Sequence, residues 1–293
     1  MRRVVWTSWS ADCAKFDFAY GLKDLKLRHQ WINAYEVNPS DDDIWLTSNG
    51  YSHRSGRFLK ATLYAESYIY LRNEYDNFAQ DKRWDFRFAY NPELLKFPNV
   101  HLVPIAGYWA KDPFVELPKK RLFGMVLSQK PARLHDSDIG QIRAAFVQKL
   151  HGKDFVYYGD GWNKSDPNYK GPLRLNLAHK FLETRYVLSE CKFGLALDNS
   201  NLPGYLTEKF WSCLGANCVP IYYGHPSVKE QIDNDAFIFG PDFPTIEAVI
   251  QYCQEMPEEV YERRRMAARR AYLEDRTHSW EAIFKRMDEI LPI

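Results

Sequence analysis

Five polar residues crowd into a short stretch of this chain: Asp198, Asn199, Tyr205, Glu208 and Lys209. They lie where an apolar run, Phe193 to Leu197, gives way to turn residues at 199–203 and then to a helical pattern. Apolar positions at Phe210, Trp211, Leu214 and Cys218 carry the helix spacing from Thr207 onward. A second apolar run, Val219 to Tyr223, ends at Gly224. Strand, helix, strand in this order predicts a βαβ unit and a parallel sheet. Ligands of such sheets bind beyond the carboxyl ends of the strands. A helix N-terminus there offers unpaired N–H groups and a positive dipole end, both suited to phosphate.

The same stretch resembles the donor-binding motif of the α-1,3/4-fucosyltransferases (glycosyltransferase family 10-like). The matching residues are DNS at 198–200, YLTEK at 205–209 and VPIYYG at 219–224, in ungapped spacing. Asp198 departs from the Glu that the family usually has. The resemblance implies an α/β fold of two Rossmann-like domains facing across a cleft, the GT-B glycosyltransferase architecture. It also implies a nucleotide-sugar donor, GDP-fucose first among them. In that reading Arg143, Asp198, Asn199, Tyr205, Glu208 and Lys209 bind the donor, and no divalent metal is required. Lys209 and Arg143 would face the diphosphate leaving group as it gains charge. Glu208, beside Lys209 but pointing differently, would sit near the sugar. The resemblance places a catalytic base after an apolar strand of the first domain, where Glu66 stands. Glu66 and Glu208 are thus the candidate catalytic carboxylates. Direct displacement assisted by a base inverts the anomeric centre.

The bulk numbers agree with a soluble enzyme of this size. The chain has 293 residues, with 39 Lys+Arg against 38 Asp+Glu. So near a balance gives no global attraction to nucleic acid. The five cysteines form no CxxC pair and mostly sit in apolar context, as reduced buried thiols do. That predicts a reducing, cytoplasmic setting. No signal peptide opens the chain, and no apolar run reaches the roughly 18 residues of a membrane span. The family's Golgi members carry an amino-terminal anchor, so the resemblance is to soluble bacterial or viral members.

Along the chain, the reading is an acceptor-binding domain over 1–112, a donor-binding domain over 118–273, and a C-terminal helix over 274–293 crossing back to the first domain. Asp41 and Asp43 fit an Asp-x-Asp metal pattern, but they precede their strand, which marks a turn. Ile139 to Leu150 has helical spacing and carries Arg143. Arg263, Arg264, Arg265, Arg269 and Arg270 give a later helix a basic face. That face predicts either a solvated surface or peripheral docking on a membrane. Glycan or glycoconjugate acceptors are the expected partners beside the nucleotide sugar. Two other readings fit the same residues: the same fold and mechanism with a UDP-pentose donor (a xylosyltransferase), and a non-catalytic carbohydrate-binding protein.

Overall fold

Apolar runs with both faces covered set the architecture. In the computed structural model, which describes residues 1–7, 21–48, 56–64, 82–129, 140–173 and 177–293, these runs become strands of two all-parallel sheets. Glu66 and Cys13 lie outside the described residues. The chain divides into two units: residues 1–111, 203–205 and 276–293, and residues 112–202 and 206–275.

In the first unit the strands are β1 (Arg3–Thr7), β2 (Gln30–Asn33), β3 (Ile44–Ser48), β4 (Leu59–Tyr64), β5 (Phe86–Ala89) and β6 (Val100–Leu102). Their order is β2-β1-β3-β4-β5-β6. Val4, Val5 and Trp6 are fully buried on consecutive positions, so both faces of β1 are covered. Asp43 is buried just before β3 and pairs with Arg3 at 2.6 Å, while Asp41 and Asp42 stay exposed. Its carboxylate also accepts from Ser40 N–H, which closes the expected turn.

The second unit holds β7 (Arg121–Val126), α1 (Gly140–Leu150), β8 (Phe155–Tyr158), α2 (Leu177–Ser189), β9 (Cys191–Leu197), α3 (Glu208–Gly215), β10 (Val219–Tyr223), α4 (Val228–Gln231), β11 (Ile238–Phe239), α5 (Ile246–Gln254) and α6 (Glu258–Glu274). Sheet order is β11-β10-β9-β7-β8. The chain runs from β7 outward to β8, then returns to place β9 on the other side of β7. This reversal leaves a crevice at the carboxyl ends of β7 and β9. Gly194 in β9 lets α3 lie close to the sheet, since a Cβ there would stand 2.6 Å from Cys213 Sγ. Cys191, Cys213, Cys218 and Cys253 are buried free thiols.

The last helix, α7 (Trp280–Ile290), belongs to the first unit. Ser279 caps it by accepting from Ala282 N–H at 3.2 Å. Its apolar stripe, Ile283, Phe284 and Met287, joins the core of the first sheet. The Phe284 ring meets Trp6 and Trp31 edge-on at 5.5 and 5.3 Å. Asp288 on the same helix is buried and accepts from Trp31 Nε1 at 2.8 Å.

The basic helix α6 is committed inside the second unit. Arg265 and Arg269 pair with Glu116 at 3.0 and 2.7 Å. Arg263 pairs with Asp235 and Arg270 with Asp233 at 3.5 and 3.7 Å, and Arg264 donates to the Phe237 carbonyl. Each arginine thus has an intramolecular partner, while Arg263 and Arg270 keep more than half of their side chains exposed. Among the described residues, no helix is long and apolar enough to cross a membrane.

Candidate functional site

The crevice of the second sheet is closed from below by Arg143. This residue is 3% exposed and reaches across the reversal point from α1. Its Nη1 donates to the Ser128 carbonyl, just after β7, at 3.3 Å. Its Nη2 donates to the carbonyls of Leu197 and Asp198, at the end of β9, and to Asn199 Oδ1, at 2.9, 3.4 and 2.7 Å. Strand ends present carbonyls that no ladder satisfies, and a planar guanidinium can serve several of them at once. Arg143 is thus a clasp joining the ends of two strands. Its charge remains part of the site.

Asp198 follows directly on β9. It is fully buried. One carboxylate oxygen accepts from the Thr207 hydroxyl and the other from the Tyr222 hydroxyl, the latter at 2.8 Å. Each carboxylate oxygen thus accepts from a hydroxyl of the protein. Burial pushes its carboxyl up to about 6, against the pull of Lys209 and the two hydroxyls.

Lys209 stands in the first turn of α3 with 13% of its side chain exposed. Its ammonium donates to Glu208 Oε1 at 2.9 Å and to Thr207 Oγ1 at 3.2 Å. Burial disfavours the charge, but Glu208 and Asp198 more than offset this and hold Lys209 above its ordinary value. Burial likewise works to raise the Glu208 carboxyl; the Lys209 ammonium outweighs it, and the group sits below its ordinary value. So Glu208 and Lys209 do not diverge, as the sequence reading had it. Adjacent residues at an open helix end can fold their side chains together, and opposite charges favour it. Glu208 still keeps 41% of its side chain exposed.

Asn199 is half-buried and fixed by Arg143. Tyr205 is buried in the first unit, its ring 5.3 Å from that of Tyr90. His225 follows β10 and accepts from Ser227 N–H at 3.2 Å. Sequence reasoning missed Thr207 and Tyr222. A threonine directly before a helix start and the first of two tyrosines before a glycine signal a cap and a core strand; neither pattern announces a buried carboxylate. It also missed Ser200, whose buried hydroxyl has no hydrogen-bond partner among the described residues. No cluster of three or more metal-binding side chains occurs among the described residues.

Two parallel α/β units with a cationic site at a strand-order reversal define the GT-B class of glycosyltransferase folds. A solved α1,3-fucosyltransferase with GDP shares this fold: TM-score 0.61, 17% identity, covering 90% of this chain and 81% of that one. The chain belongs to glycosyltransferase family 10 (fucosyltransferase), whose C-terminal part matches residues 136–287. Among relatives, alpha-(1,3)-fucosyltransferase B of Drosophila melanogaster is 39% identical over 72 residues, 24% of this chain and 16% of that protein. Alpha-(1,3)-fucosyltransferase FucT of Helicobacter pylori is 28% identical over 135 residues, 46% of this chain and 24% of that protein. The chain thus matches a quarter or less of the length of either.

Proposed function

We infer that this chain transfers L-fucose from GDP-fucose to a hydroxyl of a glycan, with inversion. The observation that carries the reading is Lys209: a charged ammonium, mostly shielded from water, at the open end of α3 beside the carboxyl end of β9. A departing diphosphate gains negative charge, and a preorganised cation in a dry site stabilises that charge well. The N-terminal N–H groups of α3 add to it. Arg143 contributes its charge from below and fixes Asn199 for the donor. Glu208, paired with Lys209 yet exposed, is suited to the sugar hydroxyls and to the positive charge that develops on the sugar ring. Tyr205 and Asn199 fix the donor's orientation. Glu66 takes the acceptor's proton as the general base. Protein cations supply the electrostatic role without a metal ion. The four buried thiols suit a reducing, cytoplasmic compartment.

The test is a donor panel without acceptor. Nucleotide release and thermal shift are measured with GDP-fucose, UDP-xylose and UDP-galactose. GDP-fucose is expected to respond and the two UDP-sugars to remain silent. A response to UDP-xylose alone would replace fucose by a pentose. Silence with all three would sink the enzymatic reading in favour of a carbohydrate-binding protein.

A further inference from the structure

Thr207 occupies the N-cap of α3, where a threonine oxygen ordinarily accepts from a backbone N–H of the first turn. Here its side chain makes no such bond. Oγ1 instead donates to the buried Asp198 and accepts from Lys209 Nζ at 3.2 Å. A hydroxyl has one proton and two lone pairs. With the proton committed to the carboxylate, the lone pairs are turned toward the ammonium. Asp198 is fixed in turn by Tyr222 at its other oxygen. The Tyr222 ring is held by Phe210 and Phe237, both edge-on, at 5.3 and 6.4 Å. Gly224 leaves room for this phenol: a Cβ there would lie 2.1 Å from the Tyr222 hydroxyl.

We propose that Thr207 is a positioning residue, the last member of a strut Tyr222–Asp198–Thr207 that aims the Lys209 ammonium at the donor's pyrophosphate. The proposal deepens, and rests on, the donor-binding role of Lys209. It also accounts for a cap residue that does not cap. The long lysine side chain has many rotamers, and a bound donor would otherwise bear the cost of selecting one. A hydrogen-bonded strut selects it beforehand. A plain capping role predicts something different, because glycine is itself accepted at helix N-caps.

Four proteins decide the matter: wild type, Thr207→Ser, Thr207→Val and Thr207→Gly. GDP-fucose is titrated into each by calorimetry, with thermal unfolding to check the fold. Val and Gly are expected to bind about tenfold more weakly, in line with a lost hydrogen bond to a charged group. Ser, which keeps the hydroxyl, is expected to stay within about twofold of wild type. If Val does not fold, the contrast between Ser and Gly gives the answer. Val or Gly binding as tightly as wild type overturns the strut and leaves the donor reading standing. Ser failing as badly as Val overturns it too, since the methyl group rather than the hydroxyl would then matter. A wild type that binds no GDP-fucose overturns both.

Discussion

Asp288 and Asp198 are both buried carboxylates, at 2% and 0% exposure, and they are satisfied in opposite ways. In the first unit, Asp288 accepts from the backbone N–H groups of Arg28 and His29 and from Trp31 Nε1, with His29 Nδ1 2.8 Å away. These partners pin the last helix to the strand that begins at Gln30. In the second unit, Asp198 has two hydroxyl donors among the described residues, one of them shared with a lysine. Hydroxyls can turn and backbone N–H groups cannot. A carboxylate ringed by N–H groups is locked into the fold. One held by hydroxyls at the mouth of a sheet stays open to protonation and can pass its orientation to a neighbour. Burial alone therefore does not tell the two acids apart; the type of donor does.

The largest effect is expected from Asp288→Ala. It strands several buried donors at once and should cost about 3–5 kcal/mol of unfolding free energy in a urea titration. A loss below about 1 kcal/mol would mean that those donors find water, and the contrast between the two acids would collapse.

A smaller effect of opposite sign is expected from Asp198→Asn. The folded carboxyl of Asp198, at about 6, lies above its unfolded value near 3.9. Between these values the folded state keeps a proton that the unfolded state has released. Wild-type stability therefore falls as pH rises from about 4 to about 6, by about 2–3 kcal/mol from this one group. Asparagine has no charge to bury. The variant should gain that amount on wild type over the same interval, as read from urea midpoints at several pH values. Parallel curves would show that Asp198 pays no burial penalty.

The sequence made the central βαβ unit legible because period and motif coincide there. The apolar runs at Phe193–Leu197 and Val219–Tyr223 became β9 and β10, and the helical spacing between them became α3. Lys209 was legible as a cation at a helix start. What each polar residue touches was not. The burial of Asp198 was not legible, because one sequence cannot reveal that Tyr222 and Thr207 close over it. That depends on the parallel register of β10 with β9, which sets Tyr222 opposite Ala196. For Arg143, residue type gives the charge and not the carbonyl partners. Asp288 passed unnoticed, since an acid near the end of a tail helix looks solvated until its helix is packed. The partners of the basic face of α6 were hidden for the same reason: Glu116 is remote in sequence from Arg265 and Arg269.

The most direct measurement on the central claim is the dissociation constant for GDP, compared between wild type and Lys209→Ala by equilibrium dialysis. The ammonium is mostly shielded and paired, so its removal should weaken GDP by roughly 10²-fold while the protein stays folded. A folded Lys209→Ala protein that binds GDP within about threefold of wild type would contradict the account, because the pyrophosphate would then be held somewhere else.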